Sequence, residues 1–153
     1  MTLQNAGGTD ESVRVLVVDD FEPWHGYVST MLRKRPELHV VGRVLDGLEA
    51  VQQAQQLQPD VILLDIGLPA LSGIEAARRI REVSPTSKIL FVSENRSVET
   101  AAEALSIGAG GYVVKSDAAS ELLFAIRAVL EGRRFVSAGL SLHPARPSDE
   151  PTV

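Results

Sequence analysis

An α/β fold, a doubly wound five-stranded parallel sheet flanked by five helices, is predicted by two features of this chain. Its strand candidates, 13–18, 38–44, 61–64, 88–93 and 112–114, are short and almost wholly apolar. Stretches with apolar residues at helical spacing separate them. Strands apolar on both sides, joined by helical crossovers, belong in a parallel sheet covered on both faces.

Each element has its own signature. Residues 13–18 form a strand whose one polar member, Arg14, lies near its start. Over 21–35, Trp24, Tyr27, Val28, Met31 and Leu32 recur at helical spacing, with Pro23 suited to the first turn. Trp24 and Phe21 are expected in the helix core. A valine-rich strand at 38–44 follows. Asp46 and Glu49 make an approximate capping box before Leu48, Val51, Ala54 and Leu57.

Pro59-Asp60 breaks the chain ahead of the strand at 61–64. Gly67-Leu68-Pro69 is a loop; Ile74, Ala77, Ile80 and Val83 mark the next helix, which Ser84-Pro85 ends. The strand at 88–93 leads into an alanine-rich helix at about 97–106. Gly108 to Gly111 turns the chain into the strand at 112–114. A last helix, 118–131, turns Leu122, Leu123, Ile126, Val129 and Leu130 inward. Residues 1–12 are expected as a flexible leader and 135–153 as a mostly disordered tail, since Gly, Pro, Ser and acids dominate there.

Composition narrows the function. The 153 residues suit one domain, and 44 % apolar with 23 % charged residues is ordinary for a globular chain. A net charge of -5 gives no support to nucleic-acid binding by this domain. Without cysteine there is no disulfide framework, redox pair or thiolate metal site. The first residues lack the pattern of a signal peptide and no apolar run approaches membrane-spanning length, so a cytoplasmic location away from membranes is expected.

The chemistry gathers at one rim. Asp19 and Asp20 close the first strand, Asp65 the third, Ser93 the fourth, and Lys115 follows the fifth. In parallel sheets the ligand sits beyond the carboxyl ends of the strands, where all of these residues fall. Three acids together repel one another and ask for a cation. Any one of them alone would read as a helix cap, and Lys115 alone as a surface lysine.

Asp19-Asp20, Asp65 with Pro69 and Gly73 beyond it, Ser93, and Tyr112 with Lys115 make a spaced set over residues 13–134 that closely resembles the receiver domain of bacterial two-component response regulators. Gly73 to Ala77 is most similar to receivers that usually precede a helix-turn-helix output domain. The resemblance implies a flavodoxin-like strand order, 2-1-3-4-5. It also implies a phosphoacceptor role for Asp65, which would take phosphate from a histidine kinase or phosphotransfer protein. Mg²⁺ would be held by Asp19, Asp20, Asp65 and the Ile66 carbonyl. Lys115 would pair with the phosphoryl group, Ser93 would hydrogen-bond it, and Ser93 with Tyr112 would switch the output face.

That face would be the fourth helix, fifth strand and fifth helix, which could also pair two copies as a homodimer; the output partner is not named by the sequence. No helix-turn-helix is expected in the tail after Ser137, and the chain is not expected to be a conventional turnover enzyme. Ser93 stands where threonine is frequent, Glu94 where a small residue is common, and Gly67 leaves the acceptor open. Glu94 motivates an alternative, a receiver-like interaction module that does not rely on phosphotransfer.

Other residues take plainer readings. His25 lacks companion ligands and is expected as a surface or turn histidine. Tyr112 by itself would be a packing residue of a short edge-like strand with its hydroxyl wet. Gly108 to Gly111 precedes a strand and lacks the spacing of a nucleotide loop. Arg78, Arg79, Arg81, Arg133 and Arg134 are expected on solvated faces.

Overall fold

The computed structural model describes residues 12–141. The expected leader, apart from Ser12, and the tail beyond 141 lie outside them. In chain order the elements are β1 (Val13–Val18), α1 (Glu22–Leu32), β2 (Leu38–Val44), α2 (Gly47–Leu57), β3 (Val61–Leu64), α3 (Gly73–Val83) and β4 (Lys88–Ser93). Then come α4 (Val98–Ser106), β5 (Gly111–Val114), a short 3-10 turn (Lys115–Asp117), α5 (Ala118–Leu130), β6 (Phe135–Val136) and α6 (Ala138–Ser141). No helix among the described residues is long and apolar enough to cross a membrane.

All strands run parallel, in the order β2-β1-β3-β4-β5-β6. Alternation along each strand divides the core between the two faces of the sheet. Leu16, Val18, Ile62, Leu64, Ile89, Phe91, Tyr112 and Val114 pack with Ala50 and Ala54 of α2, Ile80 of α3, and Ala101 and Ala104 of α4. Val15, Val17, Leu63, Leu90, Val92 and Val113 pack on the other face with Val28 and Met31 of α1 and Leu122, Ile126 and Val129 of α5. The sheet is therefore doubly wound, and both faces are dry.

Caps place the helices where the sequence marks them. Asp46, Ser72 and Ser97 accept from Glu49 N, Glu75 N and Thr100 N at the starts of α2, α3 and α4. α1 has Pro at its first turn and no side-chain cap.

Three expectations need correction. Residues 135–141, assigned to a disordered tail, form β6 and α6; β6 pairs with β5, and Leu140 is buried in the core. β5 is therefore an internal strand. Phe21 is not a core residue but 58 % exposed, because it precedes α1 as its N-cap. His25 is buried and takes a place on the inward stripe of α1 with Val28 and Leu32, whereas Tyr27 faces out.

Candidate functional site

The parallel register brings the reactive groups together. Val18 stands opposite Leu64, Leu64 opposite Phe91, and Ser93 opposite Val114. Asp19 and Asp65 each take one more step, with Asp19 N donating to Val44 O at 2.9 Å and Asp65 N to Val18 O at 3.1 Å. Both carboxylates leave the sheet at one rim, above a pocket of about 430 Å³ that Asp20, Ser93 and Lys115 also line. One oxygen from each of Asp19, Asp20 and Asp65 lies within 4.8 Å of the others.

Each acid is held differently. Asp19 is buried; its Oδ1 accepts from Phe21 N at 2.9 Å, while Oδ2 makes no regular hydrogen bond and stands 2.6 Å from the Lys115 ammonium. So short an ion-pair distance neutralises the charge on that oxygen. Asp65 Oδ1 accepts from Ile66 N at 2.8 Å, and its Oδ2 lies 4.0 Å from Lys115 Nζ. Asp20 is exposed. Burial pushes the Asp65 carboxyl above the usual carboxylate range; Lys115 opposes this, and the charge of Asp19 adds to it.

These residues fit a hard divalent cation. Three carboxylates supply oxygen donors on one side of an open pocket, leaving the other side to water or an anion. The Ile66 carbonyl, the fourth ligand that the resemblance implies, is already hydrogen-bonded. It accepts from Leu68 N at 3.0 Å and from Gly73 N at 2.7 Å, so both lone pairs are engaged in closing the loop after β3.

Ser93 is buried at the pocket, and its Oγ accepts from Asn95 N at 3.0 Å. Tyr112 is fully buried, and its hydroxyl is not wet: it donates to Asn95 O at 2.8 Å. Burial raises the Tyr112 pKa, the nearby Asp65 charge acts in the same direction, and the Ser93 hydroxyl opposes both. Glu94 and Gly67 line the same pocket, both exposed.

Three neighbours of the site carried no functional sequence signal. His25, expected on the surface, is buried; its Nε2–H donates to the Asp19 carbonyl at 2.8 Å, and Nδ1 has no hydrogen-bond partner among the described residues. Its one visible sign is its place in the helix that follows the acidic pair. Trp24 lies beside Lys115, whose Nζ is 4.9 Å from the ring centroid. Asn95 joins Ser93 to Tyr112, a link that only the folded loop creates.

Comparison with known proteins agrees with this geometry. Residues 15–127 match the response regulator receiver domain. The response regulator GacA of Pseudomonas viridiflava is 34 % identical over 141 residues, covering 92 % of this chain and 66 % of that protein. The transcriptional regulatory protein DegU of Brevibacillus brevis is 31 % identical over 127 residues, covering 83 % of this chain and 54 % of that protein. The chain thus spans less than two thirds of the length of these relatives. Among solved structures, a LuxR-family two-component response regulator from Aurantimonas superposes with a TM-score of 0.84 at 33 % identity, over 91 % of this chain and 99 % of the other. Strand order, acidic rim and sequence match agree, and this chain belongs to the response regulator receiver domain family.

Proposed function

We propose that this chain is a phosphoacceptor signalling domain, taking a phosphoryl group from a histidine kinase or phosphotransfer protein onto Asp65. The observation that carries this reading is the trio of carboxylates within 4.8 Å of one another, with Lys115 reaching two of them. An Asp65 oxygen attacks phosphorus and the bond from phosphorus to the donor's imidazole nitrogen breaks. An acyl phosphate results, and the electron pair of the broken bond stays on the imidazole nitrogen. Asp19, Asp20 and Asp65 would hold a Mg²⁺ ion, which offsets charge on the phosphoryl oxygens.

The chain's own groups do the rest. Lys115 sits where its ammonium can turn from Asp19 to a phosphoryl oxygen. Ser93 offers its hydroxyl at the same pocket; turning it inward gives up the bond from Asn95 N and disturbs the seat of Tyr112. That is how a charge placed on Asp65 would reach the output face.

Intact-mass spectrometry after incubation with acetyl phosphate and Mg²⁺ tests the reading. One phosphoryl adduct is expected on the wild type, none on Asp65→Asn, and none when Mg²⁺ is chelated. A wild type without adduct that also fails to bind Mg²⁺ would leave the alternative, an interaction module that Glu94 at the pocket mouth favours.

A further inference from the structure

The segment after α5 grips the sheet more firmly than a departing tail would. β6 pairs with β5, Gly111 with Phe135 and Tyr112 with Val136. Ser137, fully buried, donates its N–H to Tyr112 O at 2.9 Å and receives Val114 N–H on its Oγ at 2.8 Å. Its hydroxyl donates to Glu121 Oε1 of α5 at 2.6 Å, and Ala138 N donates to the other oxygen of that carboxylate at 3.2 Å. Leu140, 3 % exposed, belongs to the apolar cluster of Phe91, Tyr112, Ala101 and Ala104. A Cβ at Gly139 would stand only 3.0 Å from Arg96 Nη2, so the segment also lies close to the loop after β4.

We propose that residues 135–141 are a latch, an intramolecular occupant of the α4–β5–α5 face, and that Tyr112 sets its grip. Tyr112 is bonded at both ends: its hydroxyl to Asn95 O, its carbonyl to Ser137 N. Its ring shares the cluster that receives Leu140. Unseating Tyr112 therefore disturbs the cluster that Leu140 joins and strains the strand pairing that holds Ser137. Val114, whose N–H is tied to Ser137, adjoins Lys115 of the acidic rim. While the latch is closed, this face is filled by the chain itself and is not free to pair with a second copy. The trigger by phosphorylation rests on the phosphoacceptor reading; the dependence of the latch on Tyr112 does not.

Amide hydrogen exchange on the full chain, read at Val114 and over 135–141, tests both. In the wild type these amides should exchange slowly. Ser137→Ala should speed them about tenfold, through the loss of both Oγ bonds, to Val114 N and to the Glu121 carboxylate, with β1 and β3 unchanged. Tyr112→Phe keeps the ring and removes only the hydroxyl, so the fold should persist while 135–141 exchanges several-fold faster. Wild-type protection retained over 135–141 in Tyr112→Phe would overturn the proposal, as would unprotected amides there in the wild type. After acetyl phosphate and Mg²⁺, molecules carrying an adduct should show the faster exchange, and an adduct with the latch still protected would overturn the trigger. Absence of any adduct together with a failure to bind Mg²⁺ would fail the phosphoacceptor reading instead, and the Tyr112→Phe comparison would still decide the latch.

Discussion

Lys115 holds Asp19 far more closely than Asp65: its ammonium is 2.6 Å from Asp19 Oδ2 and 4.0 Å from Asp65 Oδ2. The lysine therefore acts as the resident counter-ion of the buried acid, in the same donor set that suits a divalent cation. The two positive charges compete for the same carboxylate.

Lys115→Ala should accordingly tighten Mg²⁺ binding. At 4 Å and an effective dielectric of about 20, one unit charge acts on another with ~4 kcal/mol. Solvent at the open pocket reduces that, and a gain of about tenfold in affinity is the expected net. Calorimetric titration of both proteins measures it, and weaker binding in the variant would mean that Lys115 orders the carboxylates instead of competing for them. Trp24, the chain's single tryptophan, lies 4.9 Å from the ammonium and should change its emission in the wild type when Mg²⁺ is added.

Asp65 sets a pH dependence of stability. Its carboxyl titrates above the ordinary value of 3.8, chiefly because it is buried. Between 3.8 and that raised value the folded state binds more protons than the unfolded one, so stability falls as pH climbs through the window. Below 3.8 both states are protonated and the difference vanishes. Asp65→Asn removes the charge, so in chelator it should melt at a higher temperature than the wild type at neutral pH. The gap should close under acid below the ordinary value. Scanning calorimetry across that range checks it, and an equal melting temperature at neutral pH would deny the burial cost.

His25 supports the acidic pair from α1. His25→Phe keeps an aromatic ring on the buried stripe but leaves the Asp19 carbonyl without its donor. A loss of about 1–2 kcal/mol in urea unfolding is expected. No loss would mean that the ring contributes packing alone.

The parts of the structure legible in the sequence are those that local pattern controls. Apolar runs ending in Asp19, Asp65 and Ser93 define strand ends, and parallel pairing then places those ends on one rim. His25 escaped because a buried histidine requires a specific acceptor, the Asp19 carbonyl, that no periodicity reveals. The bonds of the Ile66 carbonyl to Gly73 N and Leu68 N were not legible, because they form only once the loop closes. β6 is two residues long, and its pairing depends on Ser137 meeting Val114 and Glu121 across the fold; composition there argued for a tail.

Gly73 and Gly67 flank the acceptor loop and should respond in opposite ways to the same substitution. A Cβ at Gly73 would fall 1.9 Å from Asp65 O and 2.7 Å from Ile66 Cα, both backbone atoms that cannot swing aside. Gly73→Ala must push the first turn of α3 away from β3, breaking the 2.7 Å bond from Gly73 N to Ile66 O and shifting Asp65 itself. A cost of about 1–3 kcal/mol and slower acyl-phosphate formation are expected. At Gly67 nothing lies within 4 Å of the added carbon, so Gly67→Ala should stay within about 0.5 kcal/mol of the wild type. Urea unfolding of the two variants side by side measures the contrast. Equal stabilities would mean that the loop after β3 yields as a unit, and then Gly73 could not be what holds Asp65 in register.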